Sequence, residues 1–139
     1  MADLFVYGTL MCADILKTVA GELPVRAEAV LHGYRRFEVR GERYPAIIAT
    51  EGASVEGLVC FDIGRKSWHR LDRFEGEMYQ RRLVEVKLKD GDSTKKAYAY
   101  VARKDFEDRL GPEEWSFEMF KKTGKGDFIN GYGGYDILD

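Results

Sequence analysis

The sequence predicts one α+β domain built on a mostly antiparallel, barrel-like sheet. Five or six short β-prone runs stand beside two or three short helical ones, without the alternating βαβ rhythm of a parallel sheet. Tyr79 to Lys89 alternates with period 2, Asp90-Gly91-Asp92-Ser93 is a turn signal, and Lys96 to Arg103 reads as the antiparallel partner that completes a hairpin. A chain of 139 residues hides roughly two-thirds of its extended surface on folding, enough for a single core.

Leu4 to Tyr7 is a buried strand ended by the tight turn Gly8-Thr9. Cys12 to Ala20 places Ile15, Leu16, Val19 and Ala20 at helical spacing, with Gly21 as the stop. Ala27 to Leu31 and Tyr34 to Val39 are strands broken at Gly33. Pro45 confines the extended segment Ala46 to Ala49 to a strand start or an edge. Val55 to Ile63 is the next strand, and its Gly57 suggests a bulge or a close approach. From Gly64 to Phe74 the period changes, with Trp68, Leu71 and Phe74 on one helical face. After the hairpin, Pro112 suits the first turn of a helix running to about Lys122, with Trp115, Met119 and Phe120 as its core stripe. An irregular Gly- and Tyr-rich tail is expected from about residue 123.

Composition excludes several functions. Lys+Arg 22 against Asp+Glu 24, a formal net charge of −2, offers no long-range attraction for nucleic acid or an anionic membrane. The stretch Arg35, Arg36, Arg40 and Arg43, with aromatics between, is then best read as a charged sheet face. No apolar run approaches the ~20 residues of a membrane span, and no export signal opens the chain. Cys12 and Cys60 cannot form a disulfide framework and read as small buried hydrophobes, so a cytoplasmic protein is expected. His32 and His69 lack partners at metal-ligand spacing, and neither Gly-rich segment has phosphate-loop spacing. No metal, nucleotide or other cofactor is expected.

Two segments could carry chemistry. In Phe5-Val6-Tyr7-Gly8-Thr9-Leu10 a strand ends in a turn before a helix. Such a turn leaves backbone N–H groups free to meet a carboxylate or a developing oxyanion. In Leu71 to Arg82, Glu75 follows the apolar Phe74 and precedes Gly76; burial there would raise its pKa toward that of a useful base. Each is commonplace alone. A strand–glycine turn is usually structural, and Glu75 and Glu77 are equally well solvated turn residues.

Together, Tyr7-Gly8-Thr9-Leu10 and, about 65 residues later, Leu-Asp-x-Phe-Glu-Gly-x-x-Tyr-x-Arg resemble the gamma-glutamylcyclotransferase-like superfamily. The nearer likeness is to its branch of gamma-glutamylamine cyclotransferase and avirulence-induced-gene-like proteins, and it runs from about residue 3 to about residue 122. The resemblance implies a small mixed barrel flanked by helices. It implies Glu75 as the catalytic acid/base, Tyr7, Gly8, Thr9 and Leu10 as the loop holding the glutamyl group, and Tyr79 as a pocket residue. Tyr100 and Tyr132 are further pocket candidates, more simply read as core or surface aromatics; Glu77 has no counterpart.

The implied substrate is a small γ-glutamyl amine or γ-glutamyl amino acid. Its α-amine attacks its own γ-carbonyl, closing 5-oxoproline and expelling an amine. The substrate supplies the nucleophile, and ring closure gains from effective molarity. With reference pKa values of roughly 8 for an α-amine and 4.3 for Glu, proton transfer to the base is uphill by about 5 kcal/mol in water. Burial of Glu75 would narrow that gap. The same implied pocket also suits a non-catalytic module binding a carboxylate ligand, such as a stress-response protein. A further, less favoured alternative is an accessory enzyme that removes a γ-glutamyl protecting group by the same chemistry.

Overall fold

Leu4, Phe5 and Val6 are all buried because strand β1 (Ala2–Val6) is covered on both faces. Its period-2 alternation sends Phe5 into one apolar cluster and Leu4 and Val6 into another. The computed structural model describes residues 2–131. Four more strands follow: β2 (Arg26–Glu38), β3 (Pro45–Ile63), β4 (Tyr79–Leu88) and β5 (Thr94–Ala102). They close into a barrel in the order β1-β3-β2-β4-β5. All neighbours are antiparallel except β1 and β5, which close the barrel through a parallel pairing of Leu4 with Tyr98. The sheet is therefore mixed and mostly antiparallel, as the sequence predicts.

The barrel interior holds Phe5, Leu31, Ile47, Val55, Val59, Val86 and Ala99 among others. Outside it, helices α1 (Ala13–Ala20) and α2 (Arg65–Glu75) pack Ile15, Leu16, Val19, Leu71 and Phe74 over Leu4, Val6 and Cys60. Both helices end on a glycine with positive φ, Gly21 at 90° and Gly76 at 76°, a conformation L side chains rarely adopt. α2 is tied to the end of α1: Ser67 Oγ donates to the Ala20 carbonyl at 2.7 Å, and Arg70 Nε to that of Val19 at 2.7 Å. Ser67→Ala would leave a buried carbonyl short of its donor and is expected to cost about 1 kcal/mol, measurable as a lower urea midpoint at unchanged slope. Cys12 and Cys60 are buried free thiols. Among the described residues no helix is long and apolar enough to cross a membrane.

Five expectations differ. Gly33 does not end a strand: it sits at φ 85° where the β2–β3 register shifts between His32 and Tyr34, and the chain continues on either side. Residues 46–49 and 55–63 likewise belong to one long β3. The largest difference concerns Pro112. The backbone after it is committed to the edge of β2: Gly111 N–H donates to the Glu38 carbonyl, and Glu38 N–H to the Glu113 carbonyl. Helix starts only at α3 (Phe117–Met119), where the Ser116 hydroxyl accepts from Met119 N–H at 3.3 Å. It continues through a π-helical turn (Phe120–Gly124) into α4 (Lys125–Gly131). Residues 123–131, expected to be irregular, are thus helical; the rest of the tail lies outside the described residues. Trp115 and Phe120 are buried as expected, but Met119 is 58% exposed. Phe128 takes its place in the core, packing edge-on against Phe74 and Phe120 at 6.0 and 5.7 Å.

Candidate active site

Five pieces of chain meet around a partly open cavity. The turn after β1 contributes Tyr7, Gly8, Thr9 and Leu10, and the start of β3 contributes Pro45, preceded by Tyr44. The end of α2 contributes Phe74 and Glu75, and β4 and β5 contribute Tyr79 and Tyr100. Every site residue singled out by the resemblance is thus brought to one cavity. Tyr100 joins them, Tyr132 lies outside the described residues, and Glu77 is exposed on the turn beyond α2. Tyr44 and Pro45 were not expected as pocket residues. Their dipeptide stands out in the sequence, but only the pairing of the strands carries it to the β1 turn.

The turn is held from several sides. Thr9–Met11 forms a single 3₁₀ turn, which leaves the leading amides of Thr9 and Leu10 without an intrahelical acceptor. Gly8 lies against Pro45: a Cβ there would sit 2.6 Å from Pro45 Cγ. Pro45 is in turn braced by Tyr79, whose hydroxyl donates to its carbonyl at 2.6 Å. The Tyr7 hydroxyl donates to the Tyr100 carbonyl at 2.6 Å, and Arg36 Nη1 donates to the Tyr7 carbonyl at 2.8 Å. Beyond Tyr100, its hydroxyl donates to Asp72 Oδ1 at 2.7 Å, and Arg81 Nη1 lies 3.6 Å from Asp72 Oδ2.

Glu75 is the last residue of α2, and Gly76 turns the chain away from it. As a residue it keeps intermediate exposure, on the side that lines the cavity. The protein packed around its carboxyl disfavours the charged form, and the Asp72 carboxylate adds to this; together they push its pKa up to about 8. Burial also raises the hydroxyl pKa of Tyr44, to about 12, and that of Tyr100, where the hydrogen bond to Asp72 adds to the effect. The two phenols are therefore neutral near pH 8. A carboxyl that shares its proton near that pH faces a turn whose leading amides have no intrahelical acceptor, an arrangement suited to moving a proton beside an anion or a polarised carbonyl.

A family model described as "Gamma-glutamyl cyclotransferase, AIG2-like" matches residues 4–117, a span that contains every residue of the cavity. AIG2-like protein D of Arabidopsis thaliana is 38% identical over 125 residues, covering 88% of this chain and 80% of that protein. AIG2-like protein C of the same plant is 36% identical over 128 residues, covering 91% and 73%. A solution structure of an Arabidopsis thaliana protein superposes with a TM-score of 0.72 at 29% identity, covering 93% of this chain and 86% of that one. The crystal structure of an AIG2-like protein from Mus musculus shares the fold, with a TM-score of 0.64 at 22% identity over 84% and 88% of the two chains. The agreement extends over the β1 turn, α2 and the strands that enclose the cavity, and the chain belongs to the gamma-glutamyl cyclotransferase, AIG2-like family.

Proposed function

We propose that the protein releases 5-oxoproline from a γ-glutamyl amine or γ-glutamyl amino acid, with Glu75 as general base and then general acid. Support comes chiefly from the Glu75 carboxyl, pushed up to about 8 and facing the Tyr7–Leu10 turn across one cavity. Ionised Glu75 accepts a proton from the substrate's α-ammonium. The freed amine nitrogen bonds to the γ-carbonyl carbon, and the carbonyl oxygen takes up negative charge near the turn amides. When the bond from that carbon to the leaving nitrogen breaks, Glu75 returns its proton to the departing amine. An α-amine near pKa ~8 and a carboxyl near 8 exchange a proton at almost no free-energy cost, whereas an ordinary Glu faces about 5 kcal/mol.

The pH dependence follows. Free enzyme carries ionised Glu75 only above about pH 8, so kcat/KM should rise with pH to a midpoint there. It should fall again once the substrate ammonium is lost. A pH–rate profile on γ-glutamyl-alanine checks this; an acid limb near 4.5, the ordinary carboxyl value, would remove the buried base from the mechanism.

A further inference from the structure

A peptide unit is planar and trans, so its carbonyl and its N–H point in opposite directions. The chain contains no cis peptide among the described residues, and the Tyr7 carbonyl is held by Arg36 Nη1 at 2.8 Å. Arg36 belongs to β2 and does not line the cavity, whereas Tyr7 and Gly8 do. With the carbonyl turned toward Arg36, the N–H of the same unit, that of Gly8, points the opposite way, away from Arg36, and Gly8 itself lines the cavity. Among the described residues that N–H meets no acceptor.

Arg36 is itself held. Its guanidinium carbon lies 5.4 Å from the centre of the Trp115 ring, and the Trp115 indole donates to the Arg43 carbonyl at 3.0 Å. Its Nε is buried with no hydrogen-bond partner among the described residues. The residue as a whole is only part-buried, but a buried donor left without a partner calls for an explanation. A charged donor on a carbonyl also polarises the peptide and strengthens the N–H at its other end. Resting on the cyclotransferase reading of the cavity, we propose that Arg36 is a positioning residue. It fixes and polarises the Tyr7–Gly8 peptide so that Gly8 N–H donates to an anionic oxygen of the bound glutamyl group.

That oxygen is either the oxyanion formed at the γ-carbonyl or the substrate's α-carboxylate, and kinetics separates the two. Arg36→Gln and Arg36→Lys, which retains the charge but not the planar fork, are compared with the wild-type protein. Removal of a fixed oxyanion donor costs ~100-fold or more, and loosening one is expected to cost ~10–100-fold in kcat/KM, with Arg36→Lys losing less. A fall in kcat marks the oxyanion, and a rise in KM the carboxylate. The acid limb near pH 8 should not move, since Glu75 is untouched.

A second readout does not need turnover. In ¹H–¹⁵N spectra of the wild-type protein, the Gly8 amide should shift on titration with 5-oxoproline and with L-glutamate. This response should be lost in Arg36→Gln, while the dispersion of the remaining peaks shows that the variant is folded. Wild-type turnover with both variants retaining full kcat/KM and the Gly8 response would overturn the proposal and leave the cyclotransferase reading standing. No wild-type turnover, with a Gly8 response that still depends on Arg36, would remove the cyclotransferase reading and keep Arg36 as the positioning residue of an anion-binding turn. If Arg36→Gln fails to fold, Arg36→Lys carries the same comparison, and an unchanged Gly8 response in it overturns the proposal.

Discussion

Glu75→Gln is expected to lower 5-oxoproline release by ~10³-fold while making the protein more stable at alkaline pH. The activity loss follows from removing the group that moves the proton; the nearly isosteric amide keeps the cavity's shape. The stability gain follows from linkage. Glu75 binds its proton up to about pH 8 in the folded protein but only to about 4.5 when unfolded. Between those values the folded state holds a proton that the unfolded chain has released, so wild-type stability falls as pH rises through the window. Above about 8 the full cost of the buried charge is present. Discounted for the part of the residue facing the open cavity, it is ~3 kcal/mol. Glutamine removes that slope. Urea unfolding of both proteins at pH 5 and pH 9 should show a small difference at the lower pH and a clear advantage for Glu75→Gln at the higher. Equal pH slopes would mean that the Glu75 carboxyl titrates as an ordinary surface acid.

Gly57→Ala is expected to destabilise the barrel by ~3 kcal/mol, a large fraction of the 5–15 kcal/mol typical of a domain. A Cβ at this position would lie 2.2 Å from the Val6 carbonyl oxygen and 2.8 Å from Phe5 Cζ. Neither can retreat cheaply, because Phe5 fills the barrel interior and Val6 pairs with Leu58 in the ladder. Moving Val6 also moves the Tyr7–Leu10 turn that follows it, so the folded fraction should lose activity as well. Gly126→Ala is the contrast. Among the described residues nothing lies within 4 Å of its would-be Cβ inside α4, and replacing a helical glycine should gain up to about 1 kcal/mol. Chemical denaturation of the two variants gives both values; Gly57→Ala unfolding at the wild-type midpoint would contradict the close approach of β1 and β3.

Local pattern carried much of the fold. The alternation in Val84, Val86 and Leu88 marks β4, and the spacing of Leu71 and Phe74 marks the buried face of α2, because each signal is complete within its own element. Where long-range hydrogen bonds decide, the local signal misleads. Pro112, Glu113 and Glu114 have the chemistry of a helix start, yet the backbone there pairs with Glu38 and the helix waits for Ser116. The candidate site divides the same way. Tyr7 to Leu10 and Glu75 were legible only as a pair of motifs, since a glycine turn and a charged helix end are ordinary apart. Arg36 was legible only as one of four arginines; its role depends on the β2 register that sets it behind the Tyr7 carbonyl. Asp72 offered no separate signal, because its partners Tyr100 and Arg81 come from two other strands.

The most direct test is to look for the product. Wild-type protein and Glu75→Gln would each be incubated with a γ-glutamyl amine, γ-glutamyl-ε-lysine, γ-glutamyl-alanine and glutathione, and 5-oxoproline would be followed by mass spectrometry. Release from at least one of the four by the wild-type protein, reduced ~10³-fold in Glu75→Gln, is the predicted result, and the substrate that turns over names the leaving amine. Folded wild-type protein that releases no 5-oxoproline from any of them, or a Glu75→Gln variant as active as the wild type, would contradict a cyclotransferase driven by Glu75.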